Sequence, residues 1–494
     1  MVEPIGEIVV VGGGIVGWSA AAAIKRRLPA VGVTVIAAEP APDALAERVT
    51  STLPSTIGFH QDIGLGEQDF IRNAGSVLRS GTRFTGWNDG AAPYVHAYGP
   101  HGQALGGAHF HLAWVRARLQ GGGAEPFDAY SIAAMAGQRG LIVPPGTEGA
   151  EAEYGLRIDP PRYARLLRAF ALHLGARERK GRPLDVTLRP ADGFIESVRV
   201  DDGGDVAGHL FIDCTGPAAA IRSCLDDAFE DWSRWLPCDT IAFAEAPTAA
   251  EPPPLDEAIA MPAGWRWQSA GAGTTSFGYV YASAYVGDKS AAQALGGATG
   301  AEPSEVVRIR QGRRPEPWLR NCVAIGDAAV SVEPLEWTNL HLAHSAIDRI
   351  VSMLPDRDCS AVELWDYNRQ CGAEAERVRD FLICHYAASG RGEPFWRAAA
   401  TAELPDSLAL TLTQFRERGR LPFFEEETFS RDSWLAILLG QGVMPRRTDA
   451  LAEAVPAAEA RRAMAELRRG IDAALPNLPG QGAYLNHLQR QSAR

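Results

Sequence analysis

Residues 7–28 read EIVVVGGGIVGWSAAAAIKRRL, and this stretch decides the fold. Ile8 to Val11 is a short β-branched run of the kind that fills a strand buried on both faces. Gly12, Gly14 and Gly17 follow in GxGxxG spacing. The first allows a tight turn, the second lets backbone approach a pyrophosphate, and the third lets helix and strand pack closely. The Ala-rich segment Trp18 to Ile24 continues as a helix whose first N–H groups point at the phosphate. A second strand, Gly32 to Ala37, leads to Glu39, at the distance where an acid takes ribose hydroxyls. Because the glycines follow a strand, open a helix and precede a second strand with its acid, the stretch predicts dinucleotide binding rather than a plain turn.

At 494 residues the chain has room for about three domain-sized units. Its net charge of −12 and the absence of a Lys/Arg tract argue against a nucleic-acid surface. Seven cysteines without a CxxC pair read as scattered thiols of a reducing compartment, and no metal site is expected. No apolar run reaches the roughly 18 residues that span a bilayer, so no membrane partner is expected. The first strand begins almost at once, which leaves no room for a secretory signal. These features predict a soluble cytoplasmic enzyme.

Two further strands end in glycine: His209 to Ile212 before Asp213-Cys214-Thr215-Gly216, and Cys322 to Ile325 before Gly326-Asp327. A glycine at such an end of a parallel sheet can approach a bound nucleotide. Between these stations, Arg48 to Asp62 is a Ser/Thr-rich loop that wraps a cofactor or simply caps a helix, which then continues through Arg72. Asp159 to Arg179 has the apolar spacing of an amphipathic helix, and Asp185 to Leu188 and Ile195 to Val200 alternate as strands. Gly121 to Pro126, Gln138 to Ala152, the Pro-rich Ala246 to Leu255, and Gly287 to Glu302 read as connections. From about residue 360 the chain reads helical. The simplest architecture is α/β: a Rossmann-like nucleotide module over residues 1–355, interrupted by β-rich insertions at about 80–150 and 225–310, then a helical region over 356–494.

The chain resembles the flavin-dependent tryptophan halogenase family, which has a flavoprotein monooxygenase-like fold. The resemblance rests on GGGIVGW (Gly12 to Trp18), LPST (Leu53 to Thr56), RFTGW (Arg83 to Trp87), HFHLAWVR (His109 to Arg116), FIDCTG (Phe211 to Gly216), GWRW (Gly264 to Trp267), FGYVY (Phe277 to Tyr281) and NCVAIGDAAVSVEPLEWT (Asn321 to Thr338). It implies FAD held by Gly12, Gly14, Gly17, Glu39, Ser51, Thr52, Leu53, Pro54, Gly216, Gly326 and Asp327. In this family a separate reductase supplies reduced FAD, which reacts with O2 and halide. The hypohalous acid formed crosses a tunnel to an aromatic substrate, where a lysine and a glutamate direct it. The resemblance assigns Trp265, Trp267, Trp337 and His111 to the tunnel and substrate wall, and Thr338 and Asn339 to halide. Arg79 and Glu336 take the catalytic positions.

Three departures matter. Where relatives carry Phe-Lys-Leu-Gly, this chain has Leu78-Arg79-Ser80-Gly81. Deprotonating a lysine at pH 7 costs about 4–5 kcal/mol, much of which burial can supply, whereas arginine needs about 8 kcal/mol. Capture of halogen on Arg79 is therefore implausible, and a salt bridge from Arg79 to Glu336 is the bland reading. The family's Trp-x-Trp-x-Ile-Pro is Trp265-Arg266-Trp267-Gln268-Ser269-Ala270, and loss of proline loosens the wall or is simple drift. Glu-Ser-Thr is Glu336-Trp337-Thr338, whose indole narrows the halide space or turns into core. Glu336 is a base or substrate anchor, or only the partner of Arg79. His109 and His111 lie two apart, as on one strand face, but lack an acidic or Cys partner, so hydrogen bonding or packing is preferred to metal binding. No Ser-His-Asp order is supported. The sequence thus predicts an FAD-dependent oxidoreductase acting with O2 and halide on an aromatic or indole-type substrate. A non-halogenating flavin monooxygenase or oxidase on the same scaffold is the first alternative, and a catalytically silent flavin-binding protein the second.

Overall fold

Ile8, Val9, Val10 and Val11 are all at most 1% exposed and form most of β1 (Glu7–Val11), a strand with no solvent face. The computed structural model describes residues 3–147, 151–248 and 251–491, and it divides the chain into two units. The first contains the stretches up to Ser76, Leu156–Arg234 and Val307–Glu376; the second contains Val77–Gly155, Trp235–Val306 and Arg377 onward.

In the first unit β1 lies inside a six-stranded sheet, ordered Trp318–Leu319, Cys322–Ala324, Leu210–Asp213, β1, β2 (Gly32–Ala37) and Arg177–Lys180. All pairings are parallel except that of the edge strand Trp318–Leu319. Val11 pairs with Asp213, and Asp213 pairs with Ala324, so the three glycine-bearing strand ends stand side by side in register. On one face, Val9 and Val11 share a core with Ile195, Val198 and Val200 of a small antiparallel sheet. Helix α1 (Ile15–Arg27) packs with helices Pro160–His173 and Thr338–Ser352. This is the Rossmann-like α/β fold that the opening stretch predicts.

The second unit is built on a sheet ordered Pro303–Arg308, Thr240–Pro247, Thr274–Tyr281, Gly264–Ala270, Leu255–Met261, Gly81–Thr85 and Tyr94–Ala97. Leu255–Met261 and Gly81–Thr85 pair in parallel, which sets Asp256 beside Thr82. Helices fill most of this unit from Pro394 to Gln491. Among the described residues, no helix is long and apolar enough to cross a membrane, and no cluster of His, Cys, Asp and Glu could hold a metal ion.

Several local expectations need correction. Helix α2 (Ser55–Ile63) does not continue to Arg72: Gly64 adopts φ +86°, a left-handed cap, and a separate helix spans Glu67–Asn73. The amphipathic helix ends at His173, since Gly175 has φ +95° and Arg177–Lys180 joins the sheet edge. His109 and His111 are not on a strand; His109 is the N-cap of helix Phe110–Leu119. That helix is buried nearly all round and shows no 3.6-residue alternation to read. Gly287 to Glu302 is mostly helix, Asp288–Thr299, closed by Gly300 at φ +71°. Residues 148–150 and 249–250 of the expected connections lie outside the described residues.

Candidate active site

The turn after β1 is a cradle that side chains would fill. Gly12 has φ +132°, and a Cβ there would lie 2.5 Å from the Cys214 carbonyl oxygen. A Cβ on Gly17 would lie 2.0 Å from the Gly12 carbonyl oxygen, so this glycine lets α1 press on the turn. The first amides of α1 are already occupied. The Glu47 carboxylate accepts from the N–H groups of Ile15 and Val16, the latter at 3.0 Å. The sequence did not single out Glu47. Burial pushes its pKa up to about 7 against the pull of those two amides.

Asp327 lies beside it in the same chemistry. Its Oδ2 accepts from the Ala46 N–H at 2.7 Å, while its buried Oδ1 has no partner. Burial, together with the nearby Glu47 charge, raises its pKa to about 7. Gly216 and Gly326 both have positive φ, +86° and +67°. Asp213 builds the Gly216 turn, accepting from the amides of Thr215, Ile221 and Arg222. Glu39 is exposed just past β2. Ser51, Thr52 and Leu53 are buried, and Pro54 is half-buried. Thr52 exchanges bonds with the Leu156 backbone, at 2.8 Å from its N–H and 2.9 Å to its hydroxyl. The cradle, the exposed acid and the unpaired Asp327 oxygen fit a dinucleotide with ribose hydroxyls to satisfy.

Glu336 and Trp337 are consecutive non-glycine residues in the left-handed region, at φ +62° and +61°. Each such residue costs of the order of 1 kcal/mol, and such strain concentrates at functional sites. Both are buried, so the indole is enclosed rather than turned to solvent. The helix Thr338–Ser352 starts immediately afterwards, and Thr338 Oγ1 and Asn339 Oδ1 are buried there without a hydrogen-bond partner.

Arg79 belongs to the second unit, on the strand Val77–Arg79, and is fully buried. Its Nε donates to Asp256 Oδ2 at 2.5 Å, one Nη to the Tyr98 hydroxyl and the other to Thr82 Oγ1 at 2.5 Å. The sequence named Glu336 as its partner and missed Asp256. An acid next to Leu255 in an apolar strand was the available signal. The aromatic residues of this unit pack together: Trp87, Trp265 and Trp267 have successive ring separations of 6.4 and 6.1 Å. Gly278 lies under Trp267, since a Cβ there would come within 1.9 Å of the indole. Ala270, where proline was expected, continues its strand and pairs with Thr275, so the wall is regular ladder here and not a loosened loop. His111 Nε2–H donates to the Gly419 carbonyl at 2.8 Å, and burial lowers the pKa of the ring to about 4.

The tryptophan halogenase family model matches residues 7–457. Tryptophan 6-halogenase ThaL of Streptomyces albogriseolus is 28% identical over 99% of both chains. The solved structure of BrvH, a flavin-dependent halogenase from Brevundimonas sp. BAL3, superposes with TM-score 0.92 at 33% identity, covering 98% of this chain and 99% of that one. Xcc4156, a flavin-dependent halogenase from Xanthomonas campestris, gives TM-score 0.93 at 32% identity over 98% of both chains.

Proposed function

This chain belongs to the tryptophan halogenase family, and we propose on that premise that it uses reduced FAD, O2 and halide to halogenate a small aromatic or indole-type substrate. A separate flavin reductase supplies the reduced cofactor. Bound FAD contributes the oxidation of halide by O2. Gly12, Gly14 and Gly17 receive its diphosphate, Glu39 its ribose, and the Ser51–Pro54 loop with Gly216, Gly326 and Asp327 the remainder. Glu47 either leaves the α1 amides or stays protonated when the diphosphate arrives, because two anions on one pair of amides repel. The first amides of helix Thr338–Ser352, with the unpaired Thr338 hydroxyl and Asn339 beside them, suit a halide. Glu336, held in a strained backbone, serves as substrate anchor or base. Trp265 and Trp267, packed against each other and buried in the second unit, form a water-excluding aromatic wall there. The observation that carries this reading is the alignment of three glycine-bearing strand ends on one edge of a parallel sheet.

The Arg79–Asp256 pair supports a second reading, a non-halogenating monooxygenase on the same scaffold. A guanidinium already bound to Asp256, Tyr98 and Thr82 cannot lose a proton and carry halogen as a neutral amine does. Supplying reduced FAD, bromide and a panel of indoles to the purified chain separates the two. Brominated product by mass spectrometry supports halogenation; hydroxylated product that forms equally without bromide supports the monooxygenase. No product, with no binding of either redox form of FAD, removes both.

A further inference from the structure

We propose that Ser55, His341 and Glu374 form a serine acyl-transfer site that accepts small carboxylic esters, and this does not rest on the flavin reading. All three belong to the first unit. Ser55 is exposed and is the first residue of α2. Its Oγ lies 2.8 Å from His341 Nδ1, across 286 positions of sequence. The opposite ring nitrogen, His341 Nε2, lies 3.2 Å from Glu374 Oε1. No pattern in the sequence shows this set, because its three members come from three separated helices.

The order of partners fixes the proton inventory. Burial alone raises the pKa of Glu374, but hydrogen bonds and charges from His341 and Arg349 outweigh it and hold the carboxylate at about 2. Glu374 is therefore an anion at any working pH and accepts the Nε2 proton of His341. Nδ1 is left with its lone pair toward the Ser55 hydroxyl, the arrangement in which an imidazole acts as base toward a serine. In the first step Ser55 Oγ bonds to the ester carbonyl carbon and its proton passes to Nδ1. The carbon–oxygen bond to the alcohol breaks, and the alcohol leaves with that proton. Water then attacks acyl-Ser55 by the same route, releasing the carboxylic acid, so ester and water become acid and alcohol. The N–H of Ser55 is in the first turn of α2, where amides lack intrahelical partners, and it can meet the developing oxyanion. The neighbouring surface is open: a Cβ on Gly58 would meet nothing within 4 Å.

Arg349 Nη1 also lies 2.5 Å from Glu374 and shares its charge. The carboxylate consequently stabilises an imidazolium less than an unshared one would, which slows both steps; with an activated ester, whose leaving group departs readily, acylation is the faster of the two and a burst is the signature to seek. The test mixes the full chain with p-nitrophenyl acetate, follows nitrophenolate release, and separately labels with a fluorophosphonate whose site is mapped by peptide mass spectrometry. The expected result is one equivalent of burst with the label on Ser55. Ser55→Ala abolishes both, and His341→Gln slows acylation by about 100-fold or more, each variant keeping the far-ultraviolet circular dichroism of the unsubstituted chain. A label on another residue, no burst at all, or a folded Ser55→Ala variant that acylates at the original rate overturns the proposal.

Discussion

Two carboxylates beside the nucleotide cradle of the first unit and one in the second are managed in opposite ways. In the first, Glu47 and Asp327 are held by backbone amides, and burial lifts both pKa values to about 7. In the second, Asp256 is fully buried and faces the permanent charge of Arg79 at 2.5 Å. An amide donor stabilises a carboxylate without neutralising it, so these two acids stay close to gaining a proton or yielding their place to another anion, unlike Glu374 of the same unit, which Arg349 holds as an anion. An ion pair inside a protein does neither, because separating it leaves an unpaired charge in low dielectric. The nucleotide cradle is thus built to exchange its anion, and the Arg79 centre to stay closed.

The largest effect follows from that contrast. Arg79→Ala strands the Asp256 charge and lowers unfolding stability by about 3–5 kcal/mol, read from denaturant titration. The double variant Arg79→Met/Asp256→Leu recovers most of that loss; failure to recover means that packing around Arg79, not charge, is what matters.

The next effect is one of pH. Folded Glu47 holds a proton up to about pH 7 that the unfolded chain releases near 4.5, so its contribution to stability declines as pH rises through that window. Buried neutral histidines act in the other sense: the pKa values of His60 and His111 are lowered by burial to about 3 and 4, and stability gained from them grows as pH rises toward 6.5. The two trends overlap, so Glu47 is read by difference. Glu47→Gln gains stability relative to the unsubstituted chain by roughly 3 kcal/mol between pH 4.5 and pH 8. A difference that does not change with pH means that Glu47 is ionised in the fold throughout. The same variant at pH 8 removes a competing anion from the α1 amides and tightens FAD binding by about 1–2 kcal/mol, measured by flavin fluorescence. Weaker binding instead makes Glu47 a cofactor ligand.

What the sequence disclosed divides along the same line. Gly12, Gly14 and Gly17, and the strand ends before Gly216 and Gly326, are local signals: a β-branched run, then glycine, then helix. Parallel pairing then has few ways to arrange them, so the fold and the cradle were readable. Glu47 was not, and Asp256 showed only as an acid in an apolar strand, since nothing near either residue in sequence says which amide or guanidinium it will meet. Ser55 and His341, 286 positions apart, pose the same difficulty. Helix Phe110–Leu119 hid for a different reason: a helix enclosed on nearly every side carries no polar stripe, and two histidines separated by one residue imitate a strand.

The smallest expected effect concerns restoring the amine. If arginine alone limited halogenation, Arg79→Lys would raise bromination of an indole panel. Asp256 argues against so simple a repair. A carboxylate within ion-pair distance favours the charged form of lysine, opposing the desolvation that would neutralise it. Arg79→Lys is therefore expected to change bromination little, while Arg79→Lys/Asp256→Asn, which removes the stabilising anion and keeps the side-chain shape, raises it further than either single change. Equal yields from the single and double lysine variants would show that Asp256 does not govern the amine and would shift attention to Trp337, whose enclosed indole stands between Glu336 and the first amides of the following helix.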